Sequence, residues 1–217
     1  MIRRIFALLL LVAPALAGCS VNPATGARDF TPFMDSADEI KVGREQHPHI
    51  VRAFGGAYSD RRVQDYVARV GLSLAQVSER ADLSFTFTVL DTPVVNAFAL
   101  PGGYVYATRG LLALVSDEAE LAGVLAHEIG HLTARHAAQR YSQQVVAGFG
   151  AAVVGAVTGS DDLTEMASAG IASVLQGHSR DQEFEADTLG IRYLVRAGYA
   201  ADAMAALLSK LDRSARL

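Results

Sequence analysis

Two histidines stand four residues apart in the segment His127-Glu128-Ile129-Gly130-His131, within a stretch of helical apolar spacing. On an α-helix, residues four apart share one face, so both imidazoles can reach the same cation. Glu128 lies beside that face, where its carboxylate can take a proton from a water on the metal. The segment predicts a helix with part of a zinc site, in which His127 and His131 are ligands and Glu128 is the general base. The alternative is a chance pair of histidines on a helix surface.

A catalytic zinc site needs a third protein ligand, and the spacing of the remaining residues narrows the choice. His136 is excluded because on a continuous helix it lies about 140° around from the second histidine. The segment Ser179–Asp187 has a helical pattern and places Glu183 and Asp187 on one face. We expect Glu183 to be the third ligand. Asp187 is expected to accept a hydrogen bond from a ligand imidazole and so to fix its tautomer.

Two neighbours of this third ligand receive weaker assignments. Glu185 lies about 200° around the helix from Glu183, so its carboxylate is expected to point away from the metal. His178 could approach the site, but a capping or solvent-exposed role is the favoured interpretation. The alternative for the whole segment is an amphipathic helix with solvated acids.

The first 18 residues have the pattern of a secretory leader, with two arginines, an apolar run and then Leu16-Ala17-Gly18-Cys19. The apolar run is shorter than the roughly 20 residues that span a membrane. The segment Leu16–Cys19 resembles the lipobox of bacterial lipoproteins, which predicts Cys19 as the site of lipid attachment. The alternative is an ordinary cleaved leader with an incidental cysteine. Because Cys19 is the single cysteine, no disulfide can form within the chain.

The rest of the chain divides into a predicted flexible tether over 19–34 and one domain over 35–217. Period-two alternation in Ser84–Leu90 and the short run Tyr104–Tyr106 predict a small sheet, with Leu100–Gly103 as a turn. Apolar spacing and capping residues predict helices elsewhere. These helices are Asp35–Phe54, Asp60–Val77, Asp117–Gln143, Leu163–Gln176, Ser179–Arg196 and Ala200–Leu211.

The stretch Val145–Thr158 has no charged residue and contains three glycines. A buried, tightly packed helix pair is the favoured interpretation, and a mobile lid or a membrane-touching hairpin is the alternative.

Composition restricts the class of protein. With 51% hydrophobic and 19% charged residues, the chain is typical of a folded globular protein. Its 217 residues are enough for one domain with a buried core. The formal net charge of −4 becomes more negative once the two arginines of the leader are removed, which argues against a nucleic-acid partner.

Taken together, these segments resemble the zinc metallopeptidase family of the CAAX prenyl endopeptidase and HtpX, of the gluzincin type. The resemblance covers His127–His136, Ser179–Asp187 and Asn96–Tyr106. It implies an α+β fold, in which a mostly helical zincin-like domain has a small β-sheet or hairpin beside the active-site helix. It also implies one Zn²⁺ per chain, bound by the three predicted ligands.

Within that family, the chain looks most like periplasmic lipoprotein members of the BepA and LoiP type, which attend to outer-membrane protein assembly and degradation. The resemblance implies that Asn96, Gly102 and Gly103 lie beside the cleft, where an exposed strand edge can bind an extended substrate. A plain hairpin turn is the alternative. Ser20, directly after the cysteine, resembles lipoproteins that are sent to the outer membrane.

The sequence departs from the family pattern in two ways. The family has a His-Pro segment with a following arginine downstream of the third ligand, whereas the one His-Pro pair here, His47-Pro48, lies upstream in a predicted surface helix. The helical-repeat domain of many lipoprotein members is also missing. We therefore expect a compact member or a truncated product, and the sequence identifies no transition-state stabiliser.

These observations predict a membrane-anchored periplasmic zinc metalloendopeptidase that acts on unfolded or misassembled envelope proteins. It is expected to be attached through acylated Cys19 to the outer membrane, facing the periplasm. The alternative is a non-catalytic zinc-binding lipoprotein that serves as a chaperone or adaptor in outer-membrane protein assembly. Processing of prenylated proteins fits poorly, because the leader places the domain outside the cytoplasm.

Overall fold

The computed structural model describes residues 19–158, 177–205 and 210. The predicted leader, the predicted helix Leu163–Gln176 and much of Ala200–Leu211 lie outside these residues. The described elements, in chain order, are β1 (Cys19–Val21), β2 (Arg28–Phe30), α1 (Ser36–Ala53), α2 (Arg61–Ala75), β3 (Thr86–Leu90), β4 (Ala97–Leu100), β5 (Tyr104–Thr108), α3 (Arg109–Leu114), α4 (Glu118–Thr133), α5 (His136–Thr158) and α6 (Arg180–Arg196). The predicted α+β, mostly helical architecture is confirmed. Within the described ranges, no helix combines the length and the apolar character that crossing a bilayer requires.

A three-stranded sheet of order β3-β5-β4 lies beside the helices. β5 pairs in parallel with β3 and antiparallel with β4, which leaves β4 at the edge. Both predicted strands are present. β4 was not predicted, because Ala97–Leu100 is uniformly apolar and shows no alternation.

α1 and α2 begin at the aspartates that precede them. The side chain of Asp35 accepts a hydrogen bond from the amide of Asp38, and the side chain of Asp38 accepts one from the amide of Asp35, so the two residues form a capping box. Asp60 caps α2 by accepting from the Arg62 amide. Both helices lie within one or two residues of their predicted ends.

α4 and α6 cross at very short range in the centre of the domain. A Cβ added at Gly130 would lie 2.8 Å from the carbonyl oxygen of Ala186, and one added at Gly190 would lie 3.1 Å from the amide nitrogen of His127. On other faces α4 buries Leu121, Leu125 and Ile129 almost completely. A helix that is apolar over most of its surface must lie inside the core. The close crossing brings the start of α6 to the histidines of α4.

The predicted helix Asp117–Gln143 is two helices in the structure. α4 ends at Thr133, and α5 begins at His136 after a turn in which Arg135 has a φ of 58°. A non-glycine residue in this left-handed region costs conformational energy, so other contacts must hold it there. The guanidinium of Arg135 supplies them, because it donates to the Glu39 carboxylate and to the carbonyl of Met34.

The predicted flexible tether over 19–34 is wrong for the described residues, because they form a β-ribbon attached to the domain. β1 and β2 pair antiparallel, with Cys19 opposite Phe30. Arg135 donates to the hydroxyl of Ser20 at 3.1 Å, and Arg192 donates to the carbonyl of Ala24 at 3.2 Å. The turn-rich sequence has no apolar period, so polar contacts to distant residues hold the ribbon in place.

The uncharged stretch Val145–Thr158 forms part of the single helix α5. The predicted helix pair is therefore not formed within this stretch. Val146, near its start, is 48% exposed, so the expected burial is absent there as well.

Candidate metal centre

Three side chains from α4 and α6 place one potential ligand atom each within 4.8 Å of the others: His127, His131 and Glu183. The two imidazole Nε2 atoms are 3.0 Å apart. Glu183 lies 3.5 Å from Nε2 of His127 and 3.6 Å from Nε2 of His131. In tetrahedral zinc with bonds of about 2.0–2.1 Å, ligand atoms are roughly 3.3 Å apart, so this His₂Glu set fits one Zn²⁺.

The predicted general base lines the same cavity. Glu128 follows His127 in α4, and this residue is 8% exposed in a cavity of about 280 Å³ that the two histidines and Glu183 also line. Burial, partly offset by the positive charge of His127, raises the pKa of Glu128 to about 7. A carboxylate with such a pKa can accept a proton near neutral pH and return it.

Asp187, one turn after Glu183, contacts the outer nitrogen of one histidine. Its Oδ1 lies 2.9 Å from Nδ1 of His127. When Nδ1 donates to this carboxylate, Nε2 has no proton and directs its lone pair at the metal position. The carboxylates of Glu183, Glu128 and Asp187 together outweigh burial and raise the pKa of His127 to about 9.

His136 lies against the site, although its predicted position on a continuous helix points elsewhere. The turn at Arg135, between α4 and α5, redirects the chain, so that Nδ1 of His136 lies 2.7 Å from Nδ1 of His131. His136 is fully buried, and burial lowers its pKa to about 4. It is not a member of the three-residue metal group.

Glu185 points away from the metal group, as its angle on the helix predicts, and its carboxylate contacts His136 instead. Its Oε2 lies 3.2 Å from Nε2 of His136. The spacing along α6 gave no sign of this contact, because the partner comes from another helix.

His178 also corrects the sequence analysis, which favoured a capping or solvent-exposed role. Its ring stacks on His131 with centroids 3.6 Å apart, and its Nδ1 lies 3.2 Å from Oε1 of Glu183. Burial lowers the pKa of His178 to about 3. Arg140, which the sequence did not single out, brings a buried positive charge close to Glu128 and Glu183.

The edge strand β4 forms one wall of the cavity through Ala97, Phe98 and Ala99, together with the preceding residue, Asn96. Gly102 and Gly103, which the resemblance placed beside the cleft, lie elsewhere in the turn after β4. Their φ angles are 80° and 95°, and Gly102 lines a separate cavity of about 440 Å³ next to α1. The structure therefore brings Asn96 to the metal group but not the two glycines.

His47, in the upstream His-Pro pair, does not line this cavity. Its Nδ1 lies 2.7 Å from the hydroxyl of Tyr106, and its ring stacks on Tyr104. Burial lowers the pKa of His47. The ring thus attaches α1 to the sheet.

The chain is similar to members of one known protein family. The profile of peptidase family M48 matches residues 61–214. A Vibrio cholerae serotype O1 protein named "Putative beta-barrel assembly-enhancing protease" is 31% identical over 217 residues, which cover 94% of this chain and 44% of that protein. The "Beta-barrel assembly-enhancing protease" of Escherichia coli K12 is 27% identical over 95% of this chain and 46% of its own length.

A eukaryotic relative matches as well. The "Mitochondrial metalloendopeptidase OMA1" of Schizosaccharomyces pombe is 33% identical over 165 residues, which cover 71% of this chain and 48% of that protein. The chain spans about half the length of these curated relatives.

Proposed function

The chain belongs to peptidase family M48, and on this basis we propose that it is a zinc-dependent metalloendopeptidase. One observation carries the proposal: three potential ligands and a buried carboxylate with a pKa of about 7 line one cavity beside a strand edge. In this proposal the metal ligands are His127, His131 and Glu183. Glu128 is the general base, and Asp187 holds His127 in the tautomer that binds metal.

Each residue has a distinct part in peptide hydrolysis. Zinc, when bound, supplies a Lewis acid that polarises the scissile carbonyl and makes an attacking water more acidic. Glu128 takes the proton of that water and passes it to the leaving amine, since its raised pKa suits both transfers. The charge of Arg140 lowers the pKa of Glu128 and so opposes the effect of burial.

The substrate is expected to lie along β4. One edge of β4 pairs with β5, and its other edge has no strand partner in the part of the chain that the structure describes. β4 also lines the cavity. An extended peptide can add to such an edge by main-chain hydrogen bonds, which hold it without regard to its sequence. This mode suits unfolded segments. We propose that Asn96 contacts the substrate at the end of this edge.

The cellular role proposed for the chain follows from its relatives and its first residues. Two bacterial relatives are named for beta-barrel assembly, which supports a role in the quality control of misfolded or misassembled envelope proteins. The lipobox-like residues before Cys19 support an acylated lipoprotein in the outer membrane, facing the periplasm. Replacing Cys19 by serine should then move the protein from the membrane fraction to the soluble fraction, and a protein that stays in the membrane fraction contradicts acylation.

The proposed activity is tested by casein cleavage with the purified chain. Glu128→Gln should lower the rate by about 10²–10⁴-fold with unchanged zinc content, because the amide cannot accept the proton. A zinc chelator should abolish cleavage. Glu118→Gln is the matched control, since it makes the same change on the same helix at a residue that accepts a hydrogen bond from Tyr199 and does not line the cavity.

Two outcomes would contradict the proposal. Cleavage that survives Glu128→Gln or the chelator would remove Glu128 and zinc from the mechanism. A parent chain that binds zinc and cleaves nothing would support the alternative, a non-catalytic zinc-binding chaperone or adaptor.

A further inference from the structure

A line of hydrogen-bonding side chains runs from the N-terminal ribbon to His131. Nδ1 of His131 lies 2.7 Å from Nδ1 of His136, whose Nε2 lies 3.2 Å from Oε2 of Glu185. The other carboxylate oxygen of Glu185 accepts from the side-chain amide of Asn22 at 2.9 Å. These residues come from α4, α5, α6 and the ribbon, so four separate parts of the chain meet along this line.

The partners leave one consistent arrangement of protons. The carboxylate of Glu185 only accepts, so a neutral His136 ring donates to it from Nε2 and keeps a free lone pair on Nδ1. That lone pair accepts from His131, so the proton of His131 is on Nδ1. Nε2 of His131, which faces His127 and Glu183, is then free of protons.

The amide of Asn22 is oriented by its own backbone turn. Its Oδ1 accepts from the amides of Ala24 at 2.9 Å and Thr25 at 3.3 Å, so its NH₂ group must face Glu185. Asn22 is 1% exposed. The ribbon thus presents a fixed donor to the far end of the line.

We propose that His136 and Glu185 are positioning residues for the metal ligand His131, and that Asn22 of the N-terminal ribbon completes the set. The inference rests on the proposed function, because it takes His131 as a zinc ligand. His127 has its outer nitrogen held directly by Asp187, whereas His131 is held through a second imidazole. Removal of such an outer partner typically lowers metal affinity by about 10–100-fold.

The experiment measures the zinc dissociation constant of the purified chain by competition with a chelator. His136→Phe fills the buried site but accepts no hydrogen bond, and should weaken zinc binding by about 10–100-fold. His136→Asn leaves a smaller side chain, yet its Oδ1 can stand where Nδ1 stood and accept from His131. It should bind zinc more tightly than His136→Phe.

The order of these two variants separates positioning from packing. His136 has no exposed surface, so a role in packing alone predicts that the large phenylalanine is better tolerated than asparagine. The visible absorption of the Co²⁺-substituted protein gives a second readout, which should shift in His136→Phe and return toward the parent in His136→Asn. The thermal midpoint of the metal-free protein shows whether each variant folds.

Glu185→Gln tests the outer part of the line if the His136 variants do not fold. It keeps the shape of a side chain that is 28% exposed and removes its charge, and should weaken zinc binding by about 3–10-fold, a smaller effect than direct loss of a partner. Asp181→Asn is the matched control, because it makes the same change on an exposed residue of α6 and should leave the dissociation constant within about twofold.

The results have distinct readings. Zinc binding within about threefold of the parent in His136→Phe, or weaker binding by His136→Asn than by His136→Phe, overturns the positioning role. If His131→Ala binds zinc as tightly as the parent chain does, the proposed metal site itself is overturned. The two failures are thereby distinguished.

Discussion

The two histidines of α4 stand one turn apart, yet their pKa values are shifted in opposite directions. His127 is surrounded by three carboxylates, and its pKa is raised to about 9. His131 is more deeply buried, with 5% of its side chain exposed against 16% for His127. Burial, together with the positive charges of His127 and Arg140, lowers its pKa far below the usual range.

This contrast arises from the helices packed against each side of α4. α6 brings Asp187 to His127 and Glu183 to both histidines, whereas the start of α5 and the segment just before α6 bring His136 and His178 to His131. A metal bound between them would displace a proton from one imidazole and find the other already neutral. Two identical side chains on one helix thus present a lone pair to the candidate metal position through different partners.

The largest effect is expected from removing the carboxylate that holds His127. Asp187→Asn should weaken zinc binding by about 10–100-fold, because the amide loses the charge and can turn its NH₂ toward the imidazole. The zinc dissociation constant checks this. Combined with His136→Phe, the two effects should add on a logarithmic scale if the two histidines are held independently. If Asp187→Asn weakens zinc binding no more than the control Asp181→Asn does, the carboxylate of Asp187 does not hold His127.

A smaller effect is expected where the two environments are brought together. Gly130→Ala places a methyl group 2.8 Å from the carbonyl oxygen of Ala186 and forces α4 and α6 apart. Overpacking of this kind costs about 1–3 kcal/mol. Denaturant unfolding should show the loss, together with weaker zinc binding, since Glu183 moves with α6.

Gly177→Ala is the control for that substitution. A Cβ there would meet no atom within 4 Å, so stability should be unchanged or slightly higher. An unfolding midpoint of Gly130→Ala equal to that of the parent would mean that the helices tolerate separation and that the crossing does not determine the site.

The smallest effect is expected at the C-terminal end of α6. There two arginines, Arg192 and Arg196, contact the carboxylate of Glu79. Burial alone would raise the pKa of Glu79, but hydrogen bonds from Tyr193, Arg196 and Arg192 outweigh it and lower the pKa. Its stabilising effect is thus present above the unfolded pKa of about 4.3 and is lost as the pH falls through the lower folded value.

Glu79→Gln should lower the free energy of unfolding by about 1–2 kcal/mol at pH 7. The difference between variant and parent should shrink when unfolding is repeated at progressively lower pH below about 4. A difference in the free energy of unfolding that does not change with pH would mean that the charge of Glu79 does not contribute to stability.

Much of the helical framework and the core of the site could be predicted from the sequence. The histidine pair, the third carboxylate and the contact of Asp187 depend on spacing within one helix each, and the structure places all four side chains together. Their meeting across two helices was inferred from the ligand number of zinc. The positions of His136 and His178 were not predicted. The position of His136 depends on the turn between α4 and α5, and that of His178 depends on packing between elements.

The sequence by itself determined the local features, which are the helix caps of α1 and α2, the face shared by His127 and His131, and the turn after β4. Periodicity and capping act over a few residues and leave a direct trace in the order of side chains. Only the tertiary structure decided that the segment 19–34 is attached to the domain and that α4 stops before His136. Arg135 holds that break through Glu39, which lies 96 positions away, and no local pattern records a contact at such a separation.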